Sequence, residues 1–458
     1  MRIVPEIPLS ISEISYALGI STSECNSDKI NAVCTDSRAV EKNDLFIALK
    51  GDNVSGEKFI GDAKKKGAYI ISETDENATF KVTNTQKALL DIASYYKSKF
   101  KNLRLTVAIT GSVGKTTTKN TVSKMLSSRF KVHKTHENFN NSIGVAYTLL
   151  SMPADTEILV CELGMNHLGE ISLLSEAIRP DIAVITNIGT AHIGNLGSRE
   201  NIARAKLEIT DGMKNETVIV PFEEPLLYSV KDRVTFSLTD KNADCYIESE
   251  TESTEYSTVN IYTRERELKS KKIKIPGRHA LNAVAIGILL FNILCADTEG
   301  LANALDNIDS ECTRGEFKRI CDFTFYDDTY SSSPEALIAT FKFLSLYKPK
   351  AISCVLGDML ELGNESEALH TLIGRKFSEF GFDKLFTFGK LAEHIANGAE
   401  SAGMNKDKIY RNSDATAPQI TARQIASACN KDEIILCKAS HAVHAERIYD
   451  FLKTYNKI

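Results

Sequence analysis

LTVAITGSVGKTTT, residues 105–118, decides the fold. Residues 105–109 form a short continuous apolar run, as expected of a strand covered on both faces of a parallel sheet. The glycine-bearing turn that follows opens a helix with Val122, Met125, Leu126 and Phe130 as its apolar stripe. Strand, tight turn, helix is the context a phosphate-binding loop requires. Gly111 and Gly114 let the backbone turn sharply, so that its N–H groups and the helix N-terminus face phosphate oxygens. Lys115 supplies a point charge for the β- and γ-phosphates, and the Thr116 hydroxyl is placed to ligate Mg²⁺. Two residues separate the glycines, fewer than the four of the general form.

Two more apolar runs follow, ILVCEL at 158–163 and IAVITNI at 182–188, with a helix between them. This alternation predicts a parallel sheet, and ligands of such sheets bind outside the carboxyl ends of the strands. Glu162 ends one run and His192 lies just past the other. Singly, each reads as an ordinary polar loop residue; beside a phosphate loop, the two together read as metal ligands. Ser198 can cap a helix running to about Met213, with Ile202, Ala205, Ile209 and Met213 facing inward. Lys206 falls within that stripe. It either snorkels out along the core or is a functional lysine directed at the metal site.

The whole chain has 458 residues, 43% hydrophobic and 25% charged, with a formal charge of −5. That composition is globular and argues against a general nucleic-acid binder. The longest apolar stretch, about 283–296, is broken by Asn292 and is shorter than the ~18 residues a membrane span needs. The N-terminal residues carry no signal-peptide pattern. Ten cysteines without a CxxC pair suggest reduced thiols in a cytoplasmic protein. The expected architecture is α/β in three domains. Residues 1–100 form a small mixed α/β domain, with strands at 44–49 and 69–72 and helices at 57–66 and 85–100. Residues 101–311 form a P-loop-type parallel-sheet domain, with antiparallel hairpins over 217–275 and a helix at 280–294. Residues 312–458 form a Rossmann-like doubly wound domain, with strands near 323, 352, 384 and 433.

TGSVGKTT, ELGMN (162–166), NIGTAH (187–192) and ARAKLEI (203–209), in this order, resemble the Mur ligases of peptidoglycan synthesis. HENFNNSIG (136–144), GMNH (164–167) and LGDMLELG (356–363) resemble the branch that joins D-alanyl-D-alanine to a UDP-muramoyl tripeptide. The resemblance spans nearly the whole chain, from TDSR (35–38) to 438–447. It implies an ATP-dependent, ADP-forming amide ligase with Mg²⁺, acting on small molecules, monomeric and cytoplasmic. ATP would contact Gly111, Ser112, Val113, Gly114, Lys115, Thr116, Thr117, Asn282, Arg314 and Asp328. The metal would be held by Thr116, Glu162, His192 and Lys206, the last as a carbamylated lysine. Lys115, Lys206 and His192 would be catalytic. Ser37 and Arg38 match the motif near the uridine diphosphate, Asn140 and Asn141 the nucleotide–peptide channel. Lys438, Ser440 and His441 would receive the incoming amine substrate. Two stretches depart from the branch pattern: Ser331, Ser332 and Ser333 replace Asn-Ala-Asn, and His441 replaces arginine.

Two other readings compete. One is a paralogue joining a different amine to a different carboxylate. The other is a nucleotide-dependent switch, which would need no inward lysine.

Overall fold

A computed structural model describes residues 1–20, 27–51, 54–214, 217–294, 297–309, 312 and 315–455. Its strands gather in three sheets of five, nine and six strands. In spatial order the first sheet is Arg2–Ile3, Val33–Cys34, Leu45–Ile47, Tyr69–Ser72 and Phe80–Lys81. Its outer pair is antiparallel and the rest parallel. Helix Thr85–Ser98 begins at Asn84, whose side chain accepts the Lys87 N–H. It buries Leu89, Ile92, Ala93 and Tyr96 in a core shared with helices Ser142–Leu150 and Glu170–Ile178 of the second unit. The first unit is thereby seated on the second by apolar burial, the strongest general driving force available.

The second sheet runs Glu267–Ile273, Ser257–Thr263, Cys245–Glu252, Arg233–Ser237, Val218–Pro221, Ile182–Ile185, Leu105–Thr110, Ile158–Glu162 and Val132–Lys134. Leu105–Thr110, Ile158–Glu162 and Ile182–Ile185 are buried along their whole length and mutually parallel. Helix Lys115–Leu126 stops short of Phe130. The expectation of hairpins throughout 217–275 is corrected. Val218–Pro221, Arg233–Ser237 and Cys245–Glu252 all continue the parallel sheet. Antiparallel pairing is confined to the far end, where Ser257–Thr263 pairs with Cys245–Glu252 on one side and Glu267–Ile273 on the other. The reason is burial: Val218, Ile219 and Val220 are buried on both faces, whereas Ser257–Thr263 alternates between buried and half-buried residues. The largely apolar helix Leu281–Leu294 fills the core beneath.

The third sheet runs Glu316–Ile320, Phe323–Asp327, Ile434–Lys438, Ile352–Gly357, Lys384–Phe388 and Ile409–Asn412. The first pair is antiparallel and the others parallel, with helices on both faces. Two edge strands went unread in the sequence, Glu316–Ile320 and Ile409–Asn412. Both are short and largely polar, as edges tend to be. After strand Ile434–Lys438 the last helix does not begin at once. A single 3₁₀ turn, His441–Val443, comes first; His444 at φ +54° breaks it, and the helix proper is Arg447–Tyr455. Among the described residues, no helix is long and apolar enough to cross a membrane.

Candidate active site

The carboxyl ends of the three buried strands lie side by side, Ile109 opposite Glu162 and Thr110 opposite Ile185. The phosphate loop leaves from the middle one. Gly111 packs so tightly on the neighbouring strand that a Cβ would fall 1.9 Å from Thr186 Oγ1. Gly114 takes φ +86°, the left-handed conformation that glycine adopts without cost, and starts helix Lys115–Leu126. Asn187 clamps the loop from the adjacent strand end. Its Oδ1 accepts the N–H groups of Ser112 (3.1 Å) and Val113 (2.9 Å), and its Nδ2 donates to the Val113 carbonyl (2.8 Å). Sequence reasoning passed over Asn187. Its signal was an amide side chain at a strand end facing a glycine turn. Lys115 Nζ donates to the Gly111 carbonyl at 2.8 Å.

Thr116 and Glu162 meet as the metal reading requires, Thr116 Oγ1 donating to Glu162 Oε2 at 2.8 Å. Asn140 Nδ2 donates to the other oxygen, Oε1, at 3.0 Å. Glu162 is completely buried, and a buried carboxylate needs a counter-charge. Lys119, also buried and unnoticed in the sequence, places Nζ 3.8 Å from Oε2 while donating to the Glu137 carbonyl. Asn141 spends its side chain as a helix cap, Oδ1 accepting the Gly144 N–H at 2.9 Å.

Ser198 caps its helix as expected, but the helix is Arg199–Leu207 and ends in a 3₁₀ turn, Glu208–Thr210. Lys206 is 1% exposed, so it does not snorkel to solvent. It borders a small cavity of about 110 Å³ shared with Gly111, Lys115, Asn140 and His192. Burial first, and the nearby Lys115 charge second, hold its amine well below the ordinary lysine range. His192 adopts φ +66° and sets Nδ1 2.5 Å from Oε2 of Glu361, a residue of the third unit. The imidazole at that distance holds the Glu361 carboxyl below the usual range.

A second, larger cleft of about 590 Å³ separates the central unit from the third. One wall carries Ser112, Val113, Gly114, Lys115, Thr116, Thr117, Glu162 and His192, with Asn282 beside them. The facing wall carries Asp328, Ser331, Ser332, Ser333, Lys438, Ser440 and His441. Lys438 is buried and bridges Asp328 Oδ2 (2.5 Å) and the Ser331 carbonyl (2.8 Å). His279 also borders the cleft, and burial lowers its imidazole below the usual value. Ser37 and Arg38 line neither cavity. Arg38 forks onto Asp36 at 2.9 and 2.8 Å, which holds that carboxyl well below the carboxylate range. Arg314 lies outside the described residues.

Among the described residues, no three His, Cys, Asp or Glu side chains gather into a ready metal centre. The donors present are a hydroxyl and one carboxylate beside a phosphate loop. That set fits Mg²⁺, which binds through one or two carboxylates plus substrate phosphates.

Comparison with known proteins agrees with this geometry. Residues 29–100 match the Mur ligase family, catalytic domain; residues 109–290 the Mur ligase middle domain; and residues 313–441 the Mur ligase, glutamate ligase domain. The chain is 36% identical to the UDP-N-acetylmuramoyl-tripeptide–D-alanyl-D-alanine ligase of Bacillus subtilis, with 92% of each chain covered. The chain belongs to the Mur ligase family. Solved Mur ligase structures share its fold. A MurF crystal structure from Acinetobacter baumannii matches with a TM-score of 0.86 at 26% identity, covering 98% of this chain and 100% of that one. MurF from Thermotoga maritima in complex with ADP matches with a TM-score of 0.80 at 26% identity, covering 93% and 98%.

Proposed function

We propose that this Mur ligase joins D-alanyl-D-alanine to a UDP-N-acetylmuramoyl tripeptide, with ATP converted to ADP and phosphate. The observation that carries the reading is one convergence: Lys115, Thr116, Glu162, Lys206 and His192 surround the mouth of a phosphate loop that faces a second domain across a cleft. A simple nucleotide switch has no use for a buried lysine in that position. The relatives' names supply the substrates.

The chemistry is the one that membership of the Mur ligase family implies. The terminal phosphoryl group of ATP passes to the peptide carboxylate, and the incoming amine then displaces phosphate to leave an amide. Lys115 and the loop N–H groups hold the migrating phosphoryl group. Thr116 and Glu162 would hold Mg²⁺, which supplies charge neutralisation at the phosphate oxygens. His192 would serve a second ion. Burial pushes the Lys206 amine toward its neutral form, the form that adds to CO₂. That addition makes one N–C bond as one C=O π bond of CO₂ opens onto oxygen, releases one proton and turns the neutral amine into a carbamate anion suited to a metal. Asn282 and Asp328 would contact ATP. Residues 1–100, with Ser37 and Arg38, would hold the uridine diphosphate, and Asn140 the peptide end. Residues 312–458, with Lys438, Ser440 and His441, would receive the dipeptide. The enzyme would act as a cytoplasmic monomer.

The three serines and His441, which depart from the branch pattern, stand on the amine-side wall. They favour testing the paralogue reading directly. ADP release is measured with UDP-muramoyl tripeptides carrying lysine or diaminopimelate, each offered a panel of dipeptides and amino acids. Release that depends on D-alanyl-D-alanine supports the reading. Release with another amine alone moves the protein to a paralogous ligase.

A further inference from the structure

Loop 187–192 is pinned between the two walls of the cleft. Its first residue, Asn187, clamps the Ser112 and Val113 backbone. Two residues on, the Gly189 N–H donates to Ser112 Oγ at 2.9 Å. Thr190 then gives both its N–H (2.8 Å) and its hydroxyl (3.0 Å) to Oε1 of Glu335, in the third unit. Gly189 leaves no slack between them. A Cβ there would lie 3.0 Å from the Glu335 carboxyl carbon and 3.1 Å from Ser112 Cβ. Glu335 is itself fixed, being the second residue of helix Pro334–Ser345, which Ser333 caps through the Ala336 N–H. Bonds to a carboxylate are stronger than neutral ones, so Thr190 is held firmly to the third unit.

We infer that Glu335 is a positioning residue through which docking of the C-terminal domain sets the nucleotide-binding shape of the phosphate loop. The carboxylate fixes Thr190, Thr190 fixes Gly189, and Gly189 and Asn187 together fix Ser112 and Val113. The domain that receives the amine thereby controls how well ATP is held, which limits phosphoryl transfer when that domain is undocked. The inference rests on the ligase reading only in that the loop binds adenine nucleotide. A merely local role exists for an acid in the first turn of a helix, stabilising its own dipole. That role would show in the melting temperature and not in nucleotide affinity.

The test measures ADP affinity, with Mg²⁺, by calorimetry on the full chain. Glu335→Ala and Thr190→Val should each weaken ADP about three- to tenfold, the scale of an indirectly used charged hydrogen bond. The double variant should be no weaker than the worse single one, since both cut the same link. Glu335→Gln should keep most of the affinity, because its amide oxygen can accept the same two bonds. Unchanged affinity in Glu335→Ala, fully additive losses, or a Gln variant as poor as Ala would each overturn the inference. ADP binding without ligation of any amine would overturn only the ligase reading. No ADP binding by the wild-type protein would overturn both.

Discussion

The two walls of the cleft are built differently. On the central wall the groups around the phosphate loop are tied to one another within one sheet and its loops: Gly111 against Thr186, Asn187 on the loop backbone, Thr116 on Glu162. The sheet brings these groups together, and Glu335 adjusts the loop from across the cleft through Thr190. The C-terminal wall owes its place to bonds that cross a domain boundary. Glu335 reaches Thr190, Glu361 reaches His192, and Asn138 reaches the Tyr330 hydroxyl. The difference separates two tasks. Phosphoryl transfer needs preorganised charge, whereas joining two substrates needs the walls to meet with reacting atoms about 3–3.5 Å apart. Damage to the central wall should remove the chemistry, and damage to the seam should slow it.

Lys115→Ala is the severest test. It removes a charge aimed at the transferring phosphoryl group, and ADP release should fall about a thousandfold or more while the circular-dichroism melt stays normal. Near-normal turnover by the folded variant would show that the central wall is not the chemical one. Lys206→Ala should follow, with a loss of about a hundredfold, the scale for removing a group that orients a metal. Carbon-13 NMR of the wild-type protein in labelled bicarbonate should show a carbamate resonance that the variant lacks. A resonance shared by both would place the modification elsewhere.

The seam should be softer. Gly194 and Gly363 meet there, and a Cβ on Gly194 would lie 2.5 Å from the Gly363 nitrogen. Backbone cannot yield as a flexible side chain can, so Gly194→Ala should hold the domains apart. Steady-state assays should show kcat about tenfold lower, because misplaced reacting groups lose the benefit of orientation. Scattering should show a more extended particle. A normal kcat with a normal scattering curve would mean that the seam opens freely and carries no part of the rate.

The same contrast governs what could be read in the sequence. The phosphate loop, Glu162 and His192 were legible because each follows its own strand, and local order alone brings them to one edge. The three-sheet α/β architecture was legible from the same runs. The sense of Val218–Pro221 was not, because adjacency to turn-rich sequence outweighed an apolar run that was in fact continuous. Lys206 remained ambiguous until its burial was known. Glu335 and Glu361 were invisible, since Thr190 and Glu335 stand 145 positions apart and only domain packing joins them. Asn141, read for the nucleotide–peptide channel, also has a local use, its side chain capping helix Ser142–Leu150.

The smallest expected effect concerns acid. His370 is completely buried beneath the turn that carries Glu361. Its Nε2 accepts the Met359 N–H at 3.0 Å, while Nδ1 meets the Ser366 carbonyl at 2.6 Å. That pairing requires a neutral ring, with Nδ1 protonated and Nε2 bare. Burial lowers the imidazole below its ordinary value. The unfolded chain therefore takes up a proton near pH 6.5 that the folded chain refuses, so stability is full above that pH and declines below it. The slope can reach about 1.4 kcal/mol per pH unit for one such group. Thermal melts of the wild-type protein between pH 7.5 and pH 5.5 should show a falling midpoint for the transition of the C-terminal domain. His370→Gln keeps an acceptor for Met359 and cannot be protonated, so its midpoint should vary less over the same range. Equal slopes in the two proteins would remove His370 as the source and leave the seam's acid sensitivity to other groups.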